Sequence, residues 1–93
     1  MKAFVEHMRN NNGNVVKNQF INHLSNKKVF QSYDTIIATV DDDGTVTLDS
    51  KSWNYSRTTS KYRNMFLNET TKSTEEKIKD GTFKLANLNT TLW

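Results

Sequence analysis

Trp53-Asn54-Tyr55-Ser56-Arg57-Thr58-Thr59-Ser60-Lys61-Tyr62-Arg63-Asn64-Met65-Phe66-Leu67 is the stretch on which the fold turns. Before it the apolar residues recur every second position, as in strands. From Ser56 onward they recur with the period of a helix. Ser56 has the right chemistry for an N-cap, because its hydroxyl can accept from the free N–H groups of a first turn. The spacing predicts a helix over 57–67. Tyr55, Thr59, Tyr62, Met65 and Phe66 fall on one side of it, and Arg57, Lys61 and Asn64 on the other.

Working toward the N-terminus, Thr45-Val46-Thr47-Leu48 alternates polar and apolar like a half-buried strand. Asp41-Asp42-Asp43-Gly44 joins it to Ile36-Ile37-Ala38-Thr39-Val40, and Asp-Gly between β-branched runs is a hairpin signal. Gln19–Leu24 and Lys28–Tyr33 flank Ser25-Asn26-Lys27, a second hairpin, with Asp34-Thr35 as a bend. Asn10 to Asn14 is a turn cluster in which Asn12-Gly13 suits a positive φ. In residues 1–9, Phe4, Val5 and Met8 fit a helix or a strand equally well. Working toward the C-terminus, Asn68 to Thr71 reads as a loop. Ser73-Thr74-Glu75-Glu76 fits a capping box, with Ser73 as N-cap of a short helix over 74–79 anchored by Ile78. Asp80-Gly81 ends it. Thr82 to Leu85 reads as a final strand at the sheet edge, and 90–93 as a tail whose Trp93 is costly to leave in water. The expectation is an α+β domain of two layers: an antiparallel meander of about four strands packed against one main helix.

Length and composition set the bounds. Ninety-three residues make one domain, 1–93, with 1–9 as an N-terminal extension. The hydrophobic fraction is 34%, so the core is thin, and a homodimer is a natural way to bury more. Aromatics at 11% and a net charge of only +3 argue against disorder. With no cysteine there is no disulfide framework and no thiolate metal site. No stretch approaches the ~20 apolar residues of a membrane span, and the first residues lack a signal-peptide core. A cytoplasmic location in a bacterial host is the expectation.

Further motifs occur in a recognisable order. They are Asn11-Asn12-Gly13-Asn14, Asn18-Gln19-Phe20-Ile21, Phe30-Gln31-Ser32-Tyr33 and Thr35-Ile36-Ile37-Ala38, then Trp53-Asn54-Tyr55-Ser56, Thr58-Thr59, Lys61-Tyr62-Arg63, Phe66-Leu67 and Phe83 to Asn89. This order resembles a family of small proteins encoded by bacteriophages and prophages of Gram-positive bacteria. The resemblance covers roughly residues 11–89. It implies a setting, action inside the host cell, and brings no catalytic residues with it. Small phage proteins without enzymatic signatures often block a host machine, a CRISPR effector among them; that association belongs to the setting and to no residue.

The residues themselves point away from enzymes. His7 and His23 are far apart and have no Ser or carboxylate at a useful spacing. No phosphate-loop, dinucleotide or nucleophile-elbow pattern occurs. The three adjacent aspartates of the hairpin cannot easily converge on a metal, because neighbours on an extended chain point to opposite sides. No cofactor or metal is expected. The Ser56 helix start is different. Ser56, Arg57 and Thr58 surround a positive helix end, the composition of a phosphate or carboxylate site, and equally of an ordinary capped helix. The candidate partner- or anion-binding residues are Trp53, Ser56, Arg57, Thr58, Lys61, Arg63, Lys27 and Lys28. Three functions compete for them. The first is a non-enzymatic inhibitor of a host protein or nucleoprotein, anti-CRISPR-like. The second is a small nucleic-acid binder contacting phosphates with those cations. The third is a sequestering protein for a small anionic nucleotide.

Overall fold

The computed structural model describes residues 4–89. The tail at 90–93, with Trp93, lies outside the described residues. Six strands, β1 (Phe4–Arg9), β2 (Val15–His23), β3 (Lys27–Ser32), β4 (Thr35–Asp41), β5 (Val46–Asp49) and β6 (Lys84–Ala86), form one sheet in sequence order. Two helices, α1 (Arg57–Leu67) and α2 (Thr71–Lys79), lie between β5 and β6 in the chain. The class is α+β, as expected, with six strands where about four were read. β1 to β5 pair antiparallel in succession, while β6 pairs parallel with β5. A parallel pair needs a long crossover, and α1 and α2 supply it.

The hairpins follow from their turn chemistry. Gly13 and Gly44 take the positive φ that their turns demand, 81° and 89°. Asn10 Oδ1 accepts from the N–H groups of Asn12 and Asn14, which closes the first turn. β3 and β4 are joined through Tyr33 and Asp34 rather than at Asp34-Thr35, with Tyr33 at φ 57° and Ser32 opposite Thr35. Phe4–Arg9 proves to be a paired edge strand, with Val5 opposite Asn22 and His7 opposite Phe20.

Register decides which side chains share a face, because directly opposed residues point the same way. One row runs Glu6, Ile21, Phe30, Ala38, Leu48, Leu85 across all six strands. Its central members, Phe30, Ala38 and Leu48, are fully buried. They pack with Met8, Ile37, Val46, Tyr62 and Phe83, while Phe66, Leu67 and Ile78 bring both helices onto that side. Phe30 stacks on Phe66 with ring centroids 5.8 Å apart. Burying a ring of this size contributes about 1.5–3 kcal/mol. The next row, Val5, Asn22, Val29, Thr39, Thr47, Lys84, points to the opposite face, where no described helix lies.

The second helix begins earlier than expected. Thr70 is its N-cap, and Thr70 and Ser73 form the capping box, each hydroxyl accepting from the other's backbone N–H at 3.0 and 2.9 Å. Ser73 therefore occupies the third helical position instead of the cap, and Glu76 lies a turn further on.

Candidate functional site

The start of α1 is built as the sequence predicts. Ser56 has extended backbone, and its Oγ accepts from the Thr59 N–H at 3.1 Å. Arg57, Thr58 and Lys61 are exposed beside it, with Lys61 Nζ 5.5 Å from the Tyr62 ring centroid. Four of the eight candidate residues, Ser56, Arg57, Thr58 and Lys61, thus sit together at the outward side of this helix.

The other four are distributed elsewhere. Arg63, expected among the outward cations, is wholly buried. Thr59, Tyr62, Arg63 and Phe66 are spaced i, i+3, i+4, i+7, and that is the stripe facing the sheet. Met65, read as apolar-face, is instead 43% exposed. The Arg63 guanidinium donates to the Trp53 carbonyl (2.5 Å), Asn64 Oδ1 (2.9 Å) and Thr71 Oγ1 (2.9 Å), with longer contacts to Asn54 Oδ1 (3.3 Å) and Ser60 Oγ (3.4 Å). Every acceptor is neutral, and no ion pair involving Arg63 forms among the described residues. Its Nε, buried, has no hydrogen-bond partner. Burial pulls its pKa below the ordinary arginine value. Trp53 is half-buried and lies 5.2 Å from this guanidinium, ring against cation, so it serves the interior more than a rim. Lys27 and Lys28 are neighbours in sequence and diverge in space. Lys27 lies opposite Asp41 on the helix-free face, and Lys28 lies opposite Val40 on the helix-covered face, near Met65 and Phe66. The expected cation cluster of five is therefore not one surface.

Two of the concavities among the described residues adjoin these candidates. A depression of about 380 Å³ lies between the starts of α1 and α2, lined by Asn54, Tyr55, Ser56, Arg57, Ser60 and Thr71. A larger groove of about 540 Å³ crosses the helix-free face of the sheet. Val5, Leu24, Val29, Ile36 and Leu88 are among its lining residues, and Lys27 is its one charged member. Val5 is 62% exposed and Leu24 38%. Sequence reading missed this groove. The available signal was the unbroken apolar pair Val29-Phe30, which sends one large side chain to each face of a strand. At the hairpin tip Asp43 Oδ1 accepts from the Thr45 N–H at 2.9 Å, which lowers the Asp43 pKa; that aspartate closes a turn. Among the described residues no group of three or more His, Asp or Glu side chains is placed to hold a metal, and no helix is long and apolar enough to cross a membrane.

A model described as a family of unknown function, DUF8033, matches residues 4–82. The chain belongs to DUF8033. The match takes in β1 through α2, so the edge strand Phe4–Arg9 is part of the DUF8033 unit. Neither a curated protein nor a solved structure matches the chain. The DUF8033 assignment names no substrate, ligand or partner, and the functional reading rests on the residues.

Proposed function

We propose that this protein works without catalysis, by engaging a host protein or nucleoprotein through the helix-free face of its sheet. One observation carries the reading. The groove there is apolar along Val5, Leu24, Val29, Ile36 and Leu88 and has a single cation, Lys27, which makes no ion pair among the described residues. Exposed apolar area beside an unpaired charge fits a partner segment with apolar side chains and one carboxylate. The resemblance to small phage and prophage proteins supplies the narrower reading. On it the partner is a host machine, with a defence system such as a CRISPR effector foremost, and the protein is its inhibitor, acting in the bacterial cytoplasm. The nucleic-acid alternative is less well supported, because Lys27, Lys28 and Arg63 do not join Arg57 and Lys61 on one surface.

The test is affinity capture from host lysate, with and without nuclease, using the full chain and two sets of surface variants. Val5→Glu with Leu24→Glu is expected to lose the captured protein, and Arg57→Glu with Lys61→Glu to keep it. Capture that survives the first pair and disappears with the second, or with nuclease, overturns the proposal.

A further inference from the structure

Arg63 is a full cation with no solvent exposure and no carboxylate partner among the described residues. An interior charge held only by neutral groups is heavily penalised unless something supplies the opposite sign. The guanidinium lies beneath the surface and reaches the depression between the starts of α1 and α2 through its hydrogen-bond partners. Three of the residues that it reaches, Asn54, Ser60 and Thr71, line that depression.

Those contacts also orient the lining. Thr71 Oγ1 accepts from Arg63 Nη2 and from Asn64 Nδ2 at 3.3 Å, and its own proton has no acceptor among the described residues. Asn54 Oδ1 accepts from Ser60 Oγ at 2.8 Å and from Arg63, which leaves the Asn54 amide N–H groups without a partner there. Thr71 and Asn54 thus each keep an unused donor at the lining of the depression, and both accept from the Arg63 guanidinium. Arg57 stands at its wall, exposed. α1 has no acidic residue in its first turn, whereas the Glu69 carboxylate stands at the start of α2 and accepts from the Ser73 hydroxyl at 2.7 Å, so the positive end of α1 is the one left without an anion.

We propose that this depression binds the phosphate group of a small molecule, with Arg57, Asn54 and Thr71 as donors and Arg63 as the interior counter-charge. A volume of about 380 Å³ holds a phosphate with a ring-sized substituent. Lys27 and Lys28 lie on opposite faces of the sheet and neither lines the depression, which favours a small ligand over a polynucleotide. The site lies on the helix side of the sheet and does not depend on the groove of the opposite face.

The experiment is an amide NMR titration of the full chain with inorganic phosphate, against sodium chloride at matched ionic strength, then with adenosine monophosphate. Saturable shifts at Arg57, Ser60 and Thr71 are expected with phosphate and not with chloride. Thr71→Val and Arg57→Gln are each expected to weaken binding about tenfold, equivalent to ~1.4 kcal/mol, with the fold intact, while Lys61→Gln leaves it unchanged. Equal affinity for the two ligands supports the site as a phosphate site, and tighter binding of the monophosphate supports it as a nucleotide site. Shifts that track ionic strength alone, shifts that persist in both variants, or tighter binding of a single-stranded oligonucleotide than of the monophosphate each overturn the proposal.

Discussion

Asp49 shows what a single side chain does in so thin a domain. It is 2% exposed at the end of β5. Burial alone raises its pKa, and hydrogen bonds from Ser52, Leu88 and Asn89 outweigh that, so the carboxyl ends below its usual value. Oδ2 accepts from the Ser52 N–H at 2.9 Å and from the Ser52 hydroxyl, and Oδ1 from the Leu88 N–H at 2.9 Å. A lowered folded-state pKa means that the ionised form stabilises the fold above the unfolded value of about 3.9, and that this contribution disappears as pH falls through the folded value. Urea midpoints should therefore show Asp49→Asn less stable than the wild type at neutral pH, with the gap closing below about pH 4. A gap that is constant with pH would mean that the charge is irrelevant. Sequence reading gave Asp49 no structural role, since its partners Ser52 and Leu88 lie 3 and 39 residues away. It misplaced Arg63 for a related reason. Arginine is seldom fully buried, so residue type outweighed the 59/62/63/66 spacing that already marked the inward stripe.

At the scale of the element, what depends on neighbours in the chain was legible and what depends on distant ones was not. α1 was read at 57–67 from its cap and its period, and the structure has Arg57–Leu67 with Ser56 as cap. The Asp-Gly hairpin was read from turn chemistry, which acts over four residues. The pairing of β5 with β6 was not read as parallel, because the signal for it is split across two intervening helices. α2 was read three residues short, since Ser73 and Glu76 imitate the box that Thr70 and Ser73 form. The two assignments differ in outcome. Thr70→Ala should cost about 1 kcal/mol in chemical denaturation, whereas Glu76→Ala, exposed and outside the box, should stay within ~0.5 kcal/mol. A larger loss from Glu76→Ala than from Thr70→Ala would return the cap to Ser73.

For the whole molecule, charge distribution matters more than total charge. Thirteen basic residues stand against ten acidic ones, and the fold scatters the candidate cations over both faces and the interior. Arg57 and Lys61 remain as the exposed candidate cations on one helix. With about two phosphates within their reach, any duplex binding should follow log salt with a slope no steeper than about −2, by fluorescence anisotropy between ~50 and ~200 mM. A slope of five or more would mean that a cationic surface forms which this fold does not present.

Synthesis order gives the parallel closure a further meaning. Thr47, Leu48 and Asp49 meet Lys84, Leu85 and Ala86 only after both crossover helices have left the ribosome. Until then the last-made strand of the meander keeps an open rim, and Leu48, fully enclosed in the finished protein, lacks its cover. Translation stalled between the two helices would therefore leave an adhesive intermediate, open to proteases and to strand exchange with its own copies.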